Sequence, residues 1–397
     1  MTVLAAAPAT TRPLRVVHLI DTLRPGGAER LVVTTVKHLD PRCFRPAVVA
    51  LGEPLDLAPA LAEIGVPVAC VGVRSPLDWR HGVVHLAAVL RRLRPDVLHT
   101  HLRLSNVYGR VAAVLAGVPR VVTSLHHLDY THWPARTLRA RAWRAVDRYS
   151  AHRVNRGFVA VSHAVATDYR HHFGLRDVQV IHNYIEVEPF RRLAAGRAEA
   201  RRRLGLRDDE LVVLNVARLA AEKGQRHLMD AVALLQRRHP SVRLIFVGDG
   251  PERQALQTQA DALGIARAVV LAGVQTDVNP FLAAADVFAF PSVGEGLGIA
   301  LMEAMATGLP VVASRADGIV EVVEDGVDGL LVAPGDPVPL AEALGRLAGD
   351  PALRRRLGEA ARGTIASRFS ARVGVPRLEA VYTQLVHAAG ARNGEAQ

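Results

Sequence analysis

The run Pro291-Ser292-Val293-Gly294-Glu295-Gly296-Leu297-Gly298 follows an apolar stretch and leads into Ile299-Ala300-Leu301-Met302-Glu303-Ala304-Met305-Ala306. Its glycines permit a tight backbone turn. A helix beginning near Leu297 would aim free N–H groups at that turn, an arrangement that holds a diphosphate. Glu295 then stays in the loop and Glu303 lies about two turns into the helix. Two carboxylates are offered at different depths of one pocket, and carboxylates accept hydrogen bonds from sugar hydroxyls. Glu303 as an ordinary surface residue is the alternative. Its neighbours Leu301, Met302, Ala304 and Met305 leave little wet face for it.

Cations stand at a second place. Arg218 and Lys223 follow the apolar run Leu211–Leu219, where two positive charges can neutralise a diphosphate leaving group. Asp249 and Gly250 follow another such run; they either line a nucleotide pocket or simply make the turn that an Asp-Gly pair favours. Pro25-Gly26-Gly27-Ala28-Glu29-Arg30 follows the first apolar run and opens a helix, with Glu29 placed to bond the helix start. His126 and His127 end the run Arg120–Leu125, and His99 and His101 cluster beside Ser105-Asn106. This second pair either borders an acceptor site or packs the wall of a cleft.

Positioning such groups takes a regular frame. Strands are predicted at Leu14–Ile20, Pro46–Leu51, Val68–Val73, Asp96–Leu102, Arg120–His126, Gly157–Ser162 and Val178–Asn183. They resume at Leu211–Leu219, Leu244–Gly248, Ala268–Gly273, Asp286–Pro291, Pro310–Ser314 and Gly329–Ala333. The runs are continuously apolar rather than alternating, as in parallel strands buried on both faces, and helical stretches separate them. The expected class is α/β, with two Rossmann-like domains facing across a cleft. Glu186 to Glu210, polar and rich in Arg and Ala, reads as the linker between them. Open α/β sheets bind ligands at the carboxyl ends of their strands, so the cleft is the expected site.

The Glu295–Glu303 segment resembles the Glu, seven residues, Glu motif of retaining GT-B glycosyltransferases, specifically glycosyltransferase family 4. Val216-Ala217-Arg218-Leu219-Ala220-Ala221-Glu222-Lys223-Gly224 resembles that family's Arg-Leu-x-x-x-Lys-Gly element. Phe246-Val247-Gly248-Asp249-Gly250-Pro251-Glu252 is similar to its strand-to-helix turn. Asp317-Gly318-Ile319-Val320-Glu321-Val322-Val323 and Asp328-Gly329-Leu330-Leu331-Val332 are similar to its closing signature. The resemblance spans nearly the whole chain and implies the GT-B architecture. Residues 1–190 would form the acceptor-side domain, 191–370 the nucleotide-sugar domain, and 371–397 a helix returning to the first domain.

By the same resemblance Arg218 and Lys223 bind the donor's phosphates, Glu303 accepts the ribose hydroxyls, and Glu295 contacts the transferred sugar. The backbone of Gly296, Leu297 and Gly298 approaches sugar and phosphate, and the Gly26-Gly27 loop faces the diphosphate across the cleft. A histidine near the donor sugar is His126 or His127; the Thr-x-x-His register favours His126. His99, His101 and His127 are the acceptor-side candidates. Asn183-Tyr184-Ile185-Glu186 departs from the family's Asn-Gly-Ile-Asp, which puts the local hinge geometry in question. No Asp-x-Asp element follows a strand in the expected way, so neither metal nor cofactor is expected. Retention without an obvious protein nucleophile implies front-face attack, with the donor phosphate taking the acceptor's proton.

Composition agrees with a folded enzyme. Of 397 residues 50% are hydrophobic and 22% charged, too apolar for disorder and long enough for two cores. Cys43 and Cys70 alone cannot make a disulfide framework and suit a reducing cytoplasm. The best apolar run, Ile299 to Ala313, falls short of the roughly 20 residues of a membrane span and contains Glu303, Gly308 and Pro310. The start, mildly apolar from Val3 to Ala7, lacks a basic leader and reads as a ragged end. Lys and Arg number 49 against 38 Asp and Glu, a net charge of +11 that attracts polyanions or merely solvates surface helices. In the arginine-rich segment Trp133 to Arg156, Leu138, Ala142, Ala145 and Tyr149 fall on one helical stripe. That helix would rest on an anionic membrane beside a lipid-linked acceptor, or else pack on the core with its charges in water. The expected partners are a nucleotide diphosphate-sugar and a sugar, lipid-linked or small-molecule acceptor, with the enzyme cytoplasmic and peripheral at the inner face of the plasma membrane. A nucleotide-sugar epimerase of the same shape and a nucleic-acid-binding module are the alternatives; the cation and carboxylate pairs argue against the first, and the lack of a binding motif against the second.

Overall fold

The computed structural model describes residues 12–75, 78–128 and 137–394. The first half contains β1 (Leu14–Ile20), β2 (Phe44–Ala50), β3 (Val68–Cys70), β4 (Val97–His101), β5 (Val121–Leu125), β6 (Asn155–Ala160) and β7 (Val178–Val180). The second contains β8 (Leu211–Val216), β9 (Val242–Val247), β10 (Val269–Leu271), β11 (Val287–Phe290), β12 (Val311–Ser314) and β13 (Leu330–Val332). They form two parallel sheets, ordered β3-β2-β1-β4-β5-β6-β7 and β10-β9-β8-β11-β12-β13. Strand order reverses beside β1 and beside β8, and a crevice opens at such a switch point.

Helices cover both faces. The first lobe carries α1 (Gly27–His38), α2 (Ala58–Glu63), α3 (Trp79–Leu93), α4 (Arg103–Ala116), α5 (Leu138–Val154) and α6 (His163–Phe173). Then come α7 (Glu188–Arg191), α8 (Arg197–Arg203), α9 (Gln225–Gln236), α10 (Arg253–Ala262), α11 (Asn279–Ala284), α12 (Ile299–Thr307), α13 (Pro337–Gly349), α14 (Pro351–Arg368) and α15 (Ala371–Gly394). Successive β8 residues point to opposite faces: Val213 joins Leu228 and Val232 of α9, whereas Val212 and Leu214 join the core beneath α12. That second core runs on into the first lobe through Leu125, Val165 and Tyr169, so the lobes share apolar contact.

Every predicted strand is present: β1 has the expected bounds, β2, β6 and β9 begin two residues earlier than expected, and the others are trimmed at one or both ends. Glu186 to Glu210 runs between β7 and β8 and folds into α7, a 3-10 turn and α8, because Phe190, Ala200 and Leu206 bury against the core. Arg197 and Arg201 of α8 both reach Asp286, at 2.6 and 3.2 Å.

The chain returns to the first lobe at Ser370. The two crossings lie side by side: the Ile185 N–H donates to the Phe369 carbonyl at 3.0 Å, and Ala371 N–H to the Ile185 carbonyl at 2.8 Å. Ala371, Val375, Leu378 and Tyr382 of α15 then pack on Leu14, Val16 and Val122 of the first sheet. Tyr184 is buried here, its hydroxyl 2.8 Å from Thr35 Oγ1. Gly374 faces it, and any side chain at 374 would collide with its ring. The bulky residue in place of the expected glycine is thus accommodated by a glycine on α15.

Candidate active site

The donor-type loop is built by glycines that sit against backbone. Gly298 caps α12 against the Phe290 ring, and a side chain on Gly296 would strike the carbonyl of His126 in the other lobe. The helix starts at Ile299, later than expected, so Glu303 is little more than one turn in rather than two. Gly27, the first residue of α1, approaches the Ile299 side chain closely enough that an added Cβ would lie 3.3 Å away. The N-termini of α1 and α12 therefore meet across the crevice, and both offer free N–H groups to an anion.

Charges surround this point in pairs. Lys223 Nζ lies 2.6 Å from Glu295 Oε2, with the side chains 20% and 13% exposed. Lys223 ends a 3-10 turn, and the next residue, Gly224, has φ +68° with no room for a side chain beside the Pro291 carbonyl. Only glycine satisfies both demands. Arg218 pairs with Glu222 and is half exposed. Glu303 is 6% exposed and meets Arg30 of α1, whose Nη1 stands 3.4 Å from Oε1 and whose Nη2 donates to the Thr276 carbonyl at 3.3 Å. Burial pushes the Glu303 carboxyl above its usual range, and Arg30 works against that shift. Glu29 folds its carboxylate back over Gly26, where burial raises it to about 7.

Asp249 accepts the Gly250 N–H at 2.7 Å, and Gly250 packs on the Leu219 backbone, so these two residues build the turn they occupy.

The opposite wall is a row of imidazoles. His126, at the end of β5, places Nε2 3.2 Å from His101 Nδ1, and His101 Nε2 lies 3.1 Å from His18 Nδ1. His99 has both nitrogens engaged, Nδ1 with the Tyr382 hydroxyl at 2.6 Å and Nε2 with Ser124 Oγ at 2.8 Å. His99 and His101 are 1% and 3% exposed, inside the lobe rather than lining an open acceptor face; His127 is exposed. Burial lowers His18 and His126 to about 3, and holds His99 and His101 well below the ordinary imidazole value. The row is neutral at physiological pH. His18, His99 and His101 bring nitrogens within 4.8 Å of one another, as do the ligand atoms of His163, His182 and Glu321, and either set has donors of the kind that hold a metal ion.

Arg30, His18 and Tyr382 were not singled out from the sequence. Arg30 adjoins the Gly-Gly run, which was the available signal; Tyr382 lies in a remote helix with no signal at all.

Residues 25–189 match the sequence family described as "Glycosyltransferase Family 4", and residues 196–364 match "Glycosyl transferases group 1". The D-inositol 3-phosphate glycosyltransferase of Acidothermus cellulolyticus is 34% identical over 412 residues, covering 92% of this chain and 88% of that one. This chain is a family 4 glycosyltransferase. The lipopolysaccharide core biosynthesis glycosyltransferase LpsD of Rhizobium meliloti is 31% identical to the transferase over 350 residues, 87% of this chain and 91% of that one. The structure of Anabaena Alr3699/HepE in complex with UDP-glucose superposes on the transferase with a TM-score of 0.83 and 25% identity, over 94% of this chain and 100% of that one. The GT-B fold expected from the sequence is the fold of this transferase. No helix among the described residues is long and apolar enough to cross a membrane.

Proposed function

We propose that this transferase retains configuration while moving a hexose-type sugar from a UDP- or GDP-sugar to an acceptor hydroxyl, in assembly of a bacterial surface glycan or glycolipid. The observation that carries this reading is the Lys223–Glu295 pair at 2.6 Å beside the meeting N-termini of α1 and α12. A donor diphosphate would draw Lys223 and Arg218 from their carboxylates, which frees Glu295 to accept hydroxyls of the sugar. Glu303 serves the ribose, and the free N–H groups of the two helices serve the phosphates. These groups stabilise the departing diphosphate without a metal, and the donor phosphate takes the acceptor's proton. His126 lies beside the sugar as a neutral imidazole. The bounds 1–190, 191–370 and 371–397 belong to this reading.

Thermal shift and donor hydrolysis against UDP-, GDP- and ADP-sugars in EDTA test it. Stabilisation by one nucleotide series, lost in Arg218→Ala and Glu303→Ala, supports the site and names the base. Glu295→Gln with full turnover, or activity that requires a divalent ion, overturns it.

The acceptor is lipid-linked in this reading, and the enzyme works in the cytoplasm at the inner membrane face. What supports this is α5, whose only buried residues are Ser150 and Ala151. Leu138 is 83% and Tyr149 66% exposed, among arginines that suit an anionic surface. Trp133 to Arg136, part of the same expectation, lie outside the described residues. Flotation with anionic vesicles tests it, and failure of the enzyme to float removes the membrane from the proposal.

A further inference from the structure

The loop that carries Glu295 is braced by a turn that is itself tied to the opposite lobe. This turn, Asp317–Glu321, follows β12. At its start Asp317 Oδ2 accepts the Glu295 N–H at 3.3 Å, and the Gly318 N–H donates to the Glu295 carbonyl at 3.2 Å. Gly318 lies so close to the Gly296 carbonyl that any side chain there would collide with it. Asp317 takes φ +39° to make this contact, an uncommon conformation for a residue with a Cβ.

The far end of the turn leaves its own lobe. Glu321 Oε2 accepts the N–H of His163 at 2.8 Å and Oε1 that of Ala164 at 2.9 Å, the first two residues of α6. Ser162 Oγ takes the next N–H, from Val165, at 3.1 Å. The α6 N-terminus is thus capped largely by a carboxylate from 157 or more residues away, where the helix dipole favours negative charge. His182 Nε2 adds a third bond to Glu321 at 2.8 Å. Burial opposes the charge on Glu321, but the His182 bond and the two amide donors outweigh it and hold the carboxyl below its usual range. Next to His182, Asn183 Nδ2 donates to the Leu297 carbonyl at 2.8 Å, a second strut to the same loop.

We propose that Glu321 is a positioning residue, a clamp that joins α6 of the first lobe to the Glu295–Gly298 loop of the second and so sets where that loop faces the opposite wall. The proposal rests on the donor-site reading given above. Replacing the carboxylate by an amide sets an NH2 group against a backbone N–H and removes the charge that suits the helix terminus. A loop displaced by about 1 Å costs on the order of 100-fold in rate. Arg218, Lys223 and Glu303 stay untouched, so nucleotide affinity survives.

The test takes the full-length chain and the variants Glu321→Gln, Glu321→Ala and His182→Ala. The expected result is kcat lowered by about 10-fold or more in Glu321→Gln, further in Glu321→Ala and less in His182→Ala. Donor KM and the calorimetric affinity for UDP or GDP stay within about threefold, well short of the tenfold that 1.4 kcal/mol would give. Hydrogen exchange in the first turn of α6 reads the clamp itself without any substrate: protected in the parent and released in Glu321→Gln. Unchanged exchange in Glu321→Gln overturns the clamp. Released exchange with unchanged kcat overturns its positioning role, as does a nucleotide affinity that falls in step with kcat. A parent enzyme that turns over no nucleotide sugar overturns the donor-site reading and the positioning role with it, while the exchange measurement still decides the contact.

Discussion

The two walls of the crevice hold their polar groups in opposite ways. The second lobe presents ions in pairs, Lys223 with Glu295 and Arg218 with Glu222, each at least partly open to solvent. The first lobe presents His18, His99, His101 and His126, sealed from water and held neutral by burial. Paired ions near water can change partners when a charged ligand arrives. A buried neutral row cannot take up charge without breaking its own surroundings. One wall is suited to trade counter-ions with a diphosphate, and the other to hold a fixed shape. Arg30 is the exception that joins them, a first-lobe cation reaching Glu303 in the second.

The largest effect expected from this contrast is on stability in acid. A histidine whose folded value is depressed contributes stability that is complete above its unfolded value and is lost as pH falls below it. Each of the four should cost about 1 kcal/mol between pH 6.5 and 5.5, about 4 kcal/mol together. Urea unfolding across that range measures it, and a flat profile would mean the row is not buried and neutral. Next, Lys223→Ala should lower kcat by about 10²–10³-fold with little change in melting temperature. A drop in stability as large as the drop in rate would make the charged wall structural and erase the contrast.

A smaller effect belongs to Glu29, raised to about 7 by burial. Its contribution to stability is complete below the ordinary carboxylate value and lost as pH rises through about 7. Glu29→Gln should therefore unfold with a shallower pH dependence between pH 5 and 8, by on the order of 1–2 kcal/mol, read by the same urea titration. Smallest is Glu222→Gln, which breaks a half-exposed pair and should shift stability by less than about 1 kcal/mol while leaving Arg218 free for phosphate. A donor KM raised several-fold would show instead that Glu222 orients Arg218.

What was legible in the sequence follows from range. The strands were, because Leu211-Val-Val-Leu and its counterparts are apolar on both faces, a local property. The meeting of Lys223 with Glu295 was anticipated in part, because both follow strand ends of the same sheet, where open α/β sheets gather their ligand-facing groups. The start of α12 was misplaced because Leu297 looks helical, while Gly298 caps the helix and leaves Leu297 in the loop. The helices of Glu186 to Glu210 were hidden in an Arg-Ala composition whose anchors, Phe190 and Leu206, are too sparse to show a period. The Gly26-Gly27 approach and the return of the last helix were expected by resemblance, but the side-chain pairings across the lobes were not legible. Arg30 to Glu303 spans 273 positions and Glu321 to His163 spans 158, and no local pattern specifies such pairings.

The bond between His99 and the Tyr382 hydroxyl joins residues 283 positions apart. At 5–20 residues per second, the ribosome adds that much chain in about 15–60 s. Throughout that interval the first sheet lacks α15 over Leu14, Val16 and Val122, and His99 Nδ1 lacks the Tyr382 hydroxyl. Synthesis order and folding order therefore part company: the lobe made first is finished last. Nascent chains halted before Ala371 should keep that face uncovered, a natural binding surface for a chaperone.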